Sequence, residues 1–241
     1  MITVRGQTIM GPNIVTNGLA LYLDSRNPNS YPGSGSIWYD LSGNGNNGTM
    51  NNFSGPSAGS TSGFDTNTKL MMFDRHLGSA DGTVNNIVNF SSSTTLLDSL
   101  CQNGVSIEFW LKVTTQVCTA IAKLHGSWEI YYCSGLVFRT EGTGGNDGST
   151  SINYGTYFPN IHHILSTHDG TNRKVYVNGI NVLSDINSVS SQSFSSFGLG
   201  GYSNGIYAFT GAIPIFRVYS RALTQPEALQ NFNALRNKFG L

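Results

Sequence analysis

Two apolar runs, Lys174–Val177 and Ile180–Leu183, flank the pair Asn178-Gly179. Asn-Gly between such runs is the strongest short-range signal for a β-hairpin, because both central residues of the favoured turn take positive φ. The same two-residue period recurs upstream. Val105, Ile107, Phe109 and Leu111 alternate with Ser106, Glu108, Trp110 and Lys112 across Val105–Val113, as in a strand with one face on a core. Further strands are expected at Leu19–Asp24, Lys69–Phe73, Thr119–Leu124, Trp128–Tyr132, Leu136–Thr140, Ile161–Ser166, Phe197–Leu199 and Phe209–Tyr219. Strands spaced by about 8–14 residues, with turn residues between them, predict an antiparallel two-sheet sandwich rather than βαβ units. A chain of 241 residues suits one such domain.

Composition agrees with an all-β, turn-rich domain. Glycine numbers 29, asparagine 25 and glutamate only 4, while charged and aromatic residues each make up 11% of the chain. That aromatic content argues against disorder. Lys+Arg and Asp+Glu both number 13, so the net charge is zero. A generic nucleic-acid binder or a protein held to an anionic membrane needs a basic excess, so both classes are excluded. No apolar run approaches the length of a membrane-spanning helix. Met1–Gly18 lacks the basic start and apolar stretch of a secretory leader, and none is expected there. Cys101, Cys118 and Cys133 are read as free thiols acting as small apolar residues.

The chain divides into an arm, residues 1–18, and a sandwich, residues 19–241. Ile2, Val4, Ile9, Met10 and Ile14 are apolar but follow no period that would bury them on their own sheets. The arm is therefore expected to order by docking on a neighbouring subunit or surface. Residues 25–67, with Pro28, Pro32 and Pro56 among many Gly, Asn and Ser, read as a long loop held by a ligand, a partner or a sheet edge. One helix closes the chain. Thr224-Gln-Pro-Glu227 has the form of a capping box, and Leu229, Phe232, Leu235 and Phe239 fall on one apolar face.

The residues that carry chemistry do not converge. No strand holds two acids at i, i+2 or i, i+4, the spacing that would set a nucleophile and a general acid on one face. His162 and His163 are adjacent, so on a strand they face opposite ways and do not chelate one metal. A serine-hydrolase elbow, a P-loop and a dinucleotide-binding glycine pattern are absent. No catalytic residue, metal site or cofactor is expected. Glu141, Asn146 and Asp147 fit a solvated hairpin tip better than a calcium loop. Among the aromatic residues, Trp128, Tyr131, Tyr154 and Tyr202 are the candidates for stacking on a sugar, although most such side chains serve as core or edge cover.

Several segments resemble a known family. Ile107-Glu-Phe-Trp-Leu-Lys112 is similar to the central strand of concanavalin A-like, laminin-G-like domains. His162-His-Ile-Leu-Ser-Thr-His-Asp-Gly170 followed by Val175-Tyr-Val-Asn-Gly179 resembles their histidine-bearing strand, Asp-Gly turn and hairpin. Phe209-Thr-Gly-Ala-Ile213 with Phe216-Arg-Val-Tyr-Ser-Arg-Ala-Leu223 resembles their last strand and its exit into a short helix. The resemblance implies a jelly-roll sandwich over about residues 69 to 236. Pro214 and Ile215 stand where the family often has acids, and Phe73-Asp-Arg-His76 departs from its acidic pattern, so no inherited calcium site is implied.

Gly18-Leu-Ala-Leu-Tyr-Leu-Asp24 and the run from Ser30 to Thr49 resemble the N-terminal portion of laminin-G-like proteins of tailed bacteriophages. That resemblance implies a non-enzymatic virion structural protein, a capsid decoration or a tail or fibre component. Its partners would be other virion proteins and copies of itself. A lectin-like module that binds host-surface glycans is the alternative.

Overall fold

The computed structural model describes residues 2–4, 7–9, 12–53, 62–74, 86–90, 104–114, 119–124, 128–132, 135–140, 148–152, 160–186, 197–201 and 207–241. These fold into two eight-stranded antiparallel sheets packed face to face. The first sheet runs from β16 (Ile180–Ile186) through β15 (Asn172–Val177), β14 (His162–His168) and β9 (Val105–Val113) to β18 (Gly211–Tyr219). Beyond β18 lie β7 (Leu70–Phe73) and β6 (Gly63–Asp65), and β3 (Leu19–Asp24) also pairs with β18. The second sheet runs from β13 (Gly148–Ile152) through β12 (Leu136–Thr140), β11 (Trp128–Tyr132) and β10 (Thr119–Leu124) to β17 (Phe197–Leu199). It continues through β8 (Ile87–Phe90) and β5 (Gly48–Asn51) to β4 (Ile37–Trp38). Outside both sheets, β1 (Ile2–Val4) and β2 (Gln7–Ile9) pair with each other, Ile2 opposite Ile9.

The expected two-sheet sandwich is therefore the fold, and alternation explains it. Phe109 and Leu111 of β9, Phe216 and Val218 of β18, and Leu21 and Leu23 of β3 meet Ile130, Phe138 and Phe197 from the facing sheet in one apolar core. Truncating a core phenylalanine of this kind costs about 3–5 kcal/mol. The hairpin turn has the expected backbone, with φ of 51° at Asn178 and 78° at Gly179. Along β18 one neighbour changes: Gly211 and Ala212 pair with β7, whereas Ile215 onward pairs with β3. Pro214 sits between the two, where its missing N–H removes no ladder bond.

The stretch 25–67, read as loop, supplies three short strands, β4, β5 and β6. Two features hid them. Gly48 opens β5 because the strand passes so close to β8 that a Cβ there would lie 2.4 Å from Val88. The Asn- and Ser-rich run before it is a clamp. Asp40 accepts the N–H groups of Tyr22 and Ser42 on one oxygen, and the Ser42 hydroxyl and Asn46 N–H on the other. Asn44 and Asn46 donate their amides to the Ala20 carbonyl. Short polar side chains that bond to nearby backbone replace a ladder here.

Helix α1 (Gln225–Leu235) lies on the outer face of the first sheet and ends in a 3-10 turn at Arg236–Phe239. Its buried residues are Ala228, Asn231, Phe232 and Leu235, an i, i+3, i+4, i+7 face. Leu229, expected on that face, is 45% exposed. Asn231 takes the central position instead, because the sheet beneath presents a buried charge rather than an apolar patch. Phe232 and Phe239 stack over Trp110, with centroids 6.0 and 4.5 Å away. Among the described residues, no helix is long and apolar enough to cross a membrane.

The N-terminal segment needs correction at Ile14 and Val15. Both fall in the arm expected to dock on a neighbouring subunit or surface. Ile14 packs beside Trp110, Ile215 and Phe232, and Val15 is buried with Leu165 and Tyr219. No period betrays this, because the segment is held by single contacts to the helix and to β18. Val15 donates its N–H to Asn231 Oδ1 (2.8 Å), and the Asn13 carbonyl accepts from Gln230 (2.7 Å).

Two measurements follow from this packing. Deleting residues 1–16 removes a buried valine, worth about 1.5–3 kcal/mol, and its bond to Asn231. The thermal midpoint is expected to fall by roughly 5–10 °C, and an unchanged midpoint would mean that the segment adds nothing to the fold. At the helix start, Arg221 donates to both carboxylate oxygens of Glu227 (2.9 and 2.5 Å). That pairing, with Thr224, holds the Glu227 carboxyl at about 2 instead of the ordinary 4.5. A depressed carboxyl contributes stability that is complete above about pH 4.5 and fades as pH falls toward 2. The pair is partly solvated, so Glu227→Gln should cost about 1 kcal/mol at neutral pH. In urea titrations that difference should vanish near pH 2.

Candidate functional site

Glu108 sits at the middle of β9 and points away from the sandwich core. Its cross-strand neighbours are Arg217 on β18 and Leu165 on β14. Arg217 Nη2 is 2.7 Å from Glu108 Oε1, and His163 Nε2 is 2.8 Å from the same oxygen. Asn231 of α1 donates to Oε2 at 2.8 Å. The same Asn231 amide donates to the Tyr219 hydroxyl (2.9 Å), which in turn donates to the Val15 carbonyl (3.2 Å). Glu108, His163, Arg217, Tyr219 and Asn231 are all fully buried.

Burial alone would raise the Glu108 carboxyl. The charge of Arg217, joined by His163 and Asn231, outweighs it and holds the carboxyl below its ordinary range. Burial, followed by the nearby Glu108 carboxylate, pushes the Tyr219 hydroxyl up. A carboxylate enclosed in this way has no route to a substrate, so Glu108 orders the fold rather than reacting.

Other described acids are held in similar structural roles. Asp24 accepts the Arg26 N–H and the Tyr22 hydroxyl. Asp65 closes its own turn with Asn67 and Thr68. Asp185 pairs with Arg173, whose Nη1 crosses to the Phe138 carbonyl of the facing sheet at 2.9 Å. Among the described residues, no group of three His, Cys, Asp or Glu side chains is placed to hold a metal.

The second sheet's outer face offers a different surface. Ile130 and Tyr132 of β11 enter the core, so Glu129 and Tyr131 lie on the outer face, where Glu129 is nevertheless buried. Glu129 lies opposite Lys123, with 3.8 Å between charged atoms. Tyr131 lies between Ala120 and Val137 and stays partly exposed. A half-buried tyrosine can stack on a sugar ring through its exposed part.

Of the sugar-stacking candidates, Tyr131 and Trp128 both fall on β11, while Tyr154 and Tyr202 lie outside the described residues. Of the arm residues, Ile2 and Val4 lie on β1 and Ile9 on β2, and Met10 lies outside the described residues. So do Cys101, Cys118, Cys133, Glu141, Asn146 and Asp147. Sequence reasoning overlooked the network. A charged residue between Ile107 and Phe109 in a strand as apolar as β9 was the available signal.

Two stacked sheets, a histidine-bearing strand next to the central one and a helix after the last strand make the architecture specific. A family model described as the concanavalin A-like lectin/glucanases superfamily matches residues 81–228. The chain belongs to this superfamily. No curated protein matches it. Solved relatives share the lectin-like fold at low identity. The binding domain of botulinum neurotoxin DC in complex with rat synaptotagmin II is 14% identical with a TM-score of 0.63, over 91% of this chain and 52% of that one. The same domain in complex with SialylT is 16% identical with a TM-score of 0.60, over 91% and 52%. A botulinum neurotoxin type C structure, from a protein whose cell entry depends on two ganglioside molecules, is 15% identical with a TM-score of 0.62, over 91% and 52%. This superfamily member thus spans about half the length of the solved chains it matches.

Removing one partner of a buried ion pair strands the other, at a cost of about 3–5 kcal/mol. Glu108→Gln is expected to destabilise by that amount in chemical denaturation, leaving Arg217 buried without its counter-charge. A loss below about 1 kcal/mol, the range of a solvated pair, would show that the site is open to water.

Proposed function

We propose that this chain is a non-enzymatic, lectin-like structural component of a tailed-bacteriophage particle, a capsid decoration or a tail or fibre subunit. The observation that carries the non-enzymatic part is the sealing of Glu108 by Arg217, His163 and Asn231. The mid-strand carboxylate of the central sheet is spent on the fold, and glycoside hydrolysis needs two carboxyl groups facing a substrate. The phage setting rests on the likeness of Gly18–Asp24 and Ser30–Thr49 to phage laminin-G-like proteins. In this chain that segment supplies β3 and β4 and the Asp40 clamp, so it belongs to the sandwich rather than to a tether. The sandwich then acts as the rigid body. Its partners are other virion proteins and further copies of the chain, in a particle that displays it.

Glycan binding is the second reading. It is favoured by the partly exposed Tyr131 on the outer face of the second sheet, and by similarity to a toxin domain in complex with SialylT and to a toxin whose cell entry depends on two ganglioside molecules.

The deciding experiment is quantitative mass spectrometry of purified particles. A fixed copy number, in ratio to the major capsid or tail subunit and resistant to salt washing, supports a virion component. Absence from particles, with release of reducing ends from a panel of β-glucans and galactans by the pure protein, would replace this reading with an enzyme.

A further inference from the structure

The first sheet ends in an open edge. β16 pairs with β15 on one side and, among the described residues, with no strand on the other. A sheet edge presents a row of unpaired backbone groups, and such edges usually carry lysine, proline or inward charges that turn a further strand away. β16 reads Ile-Asn-Val-Leu-Ser-Asp-Ile and has none of the first two. Its one charge, Asp185, is engaged by Arg173. Its apolar residues are instead on show: Ile180 is 66% exposed, Ile186 80%, and Val182 is exposed as well. The exposed Leu229 of α1 stands beside the turn that precedes the strand, where a Cβ on Gly179 would lie 3.0 Å from its Cδ1. A bulge at Val182 separates the Tyr176–Asn181 pair from the Val175–Leu183 pair and turns Asn181 and Ser184 toward a groove beside the start of α1. Beyond it, Leu183–Ile186 is a regular run of ladder that another strand can follow.

The same chain holds a hairpin without a sheet. β1 and β2 pair with each other and, among the described residues, with no third strand. A lone two-stranded hairpin is marginal in water; a third strand or a packed face is needed to hold it. The register sets Ile2 opposite Ile9 and Val4 opposite Gln7, which puts three apolar residues on one face of the hairpin. Strands of three residues match the short run after the bulge. The charges also agree: Arg5 is the one charged side chain of residues 1–10, and Asp185, with its side chain 31% exposed, is the one on β16.

The hairpin does not reach the edge of its own copy. The arm is tied down where the Asn13 carbonyl accepts from Gln230, whereas the turn before β16 packs at Leu229 and Phe232. With about 100° between successive helix residues, Gln230 lies on one flank of α1 and the Leu229–Phe232 side on the other. From Ile9 to Asn13 the chain spans at most about 13–14 Å. Rounding a helix about 10–12 Å across uses that reach before any ladder could form.

We propose that the β1–β2 hairpin of one copy docks on β16 of a second copy and extends its first sheet, with one hairpin strand beside Leu183–Ile186 and the hairpin's apolar residues against the exposed ones of the edge. Returned by the second copy, the exchange closes a two-fold dimer, the commonest closed assembly. The inference deepens the reading that copies of the chain are partners, and rests on that part alone.

Sedimentation velocity of the full-length protein tests it. A dimer of the 25.9 kDa chain is expected at micromolar concentration. Deleting residues 1–10 keeps Ile14 and Val15 in place and should yield a monomer with an unchanged thermal midpoint. Lysine at two exposed edge positions, Val182→Lys with Ile186→Lys, should weaken association by about tenfold or more. The deletion variant keeps an edge and the lysine variant keeps a hairpin, so a deletion variant mixed with full-length protein should form a one-to-one complex that the lysine variant does not. A monomeric full-length protein, a dimer that either variant leaves intact, or failure of the deletion variant to join full-length protein would overturn the proposal. Particle composition tests the virion reading separately.

Discussion

The buried ion pair between Glu108 and Arg217 constrains everything on the outer side of the first sheet. Two charges removed from water carry a desolvation penalty that their mutual attraction repays only with good geometry and further hydrogen bonds. Here the further bonds come from His163 on the neighbouring strand and from Asn231 on the helix. The helix is therefore positioned by a polar requirement as much as by apolar packing. Only one rotation of α1 brings Asn231 over the carboxylate, and that rotation puts Phe232 on Trp110 and leaves Leu229 at the surface. The remaining acceptor of Asn231 takes the Val15 N–H, so the N-terminal segment is fixed by the same residue. Such a network adds less stability than an apolar core of equal volume, but it discriminates strongly between alternative registers.

The two outer faces of the sandwich consequently differ. The first sheet is covered by α1, the 3-10 turn and residues 12–18 over most of its breadth, which makes both faces of β9 and β18 buried. Its uncovered part is the end near β16, where the bulge and the start of the helix leave a groove. The second sheet carries a partly exposed Tyr131 outward beside the mostly buried Lys123–Glu129 pair, with no described helix above them. A protein with zero net charge and few charged side chains has little long-range steering available.

Much of the fold was legible in the sequence because its strands are written in a two-residue period. Val105–Val113, Thr119–Leu124, Trp128–Tyr132 and Leu136–Thr140 lie where alternation put them, and the Asn178-Gly179 turn has the two positive φ angles its residues imply. The reach-back of Glu227 to the Thr224 N–H is likewise present at 2.8 Å. Strands β4, β5 and β6 were not legible. They are two to four residues long and rich in residues that also form turns, so local propensity does not separate them from loop. Their pairing energy comes from partners distant in sequence, such as Met50 opposite Val88.

What the sequence determined by itself was the class of element at each strong alternation, the turn between β15 and β16, and the start of the helix. These depend on φ preferences, side-chain period and capping, all of which act within a few residues. Only the tertiary structure decided which face of β9 meets the helix, where Val15 is anchored, and that Asn181 and Ser184 share one groove. Those outcomes require groups more than a hundred residues apart, as with Asn231 and Glu108, or a bulge set by pairing with a second strand. No local pattern encodes a hydrogen bond whose partner arrives only when the chain has closed on itself.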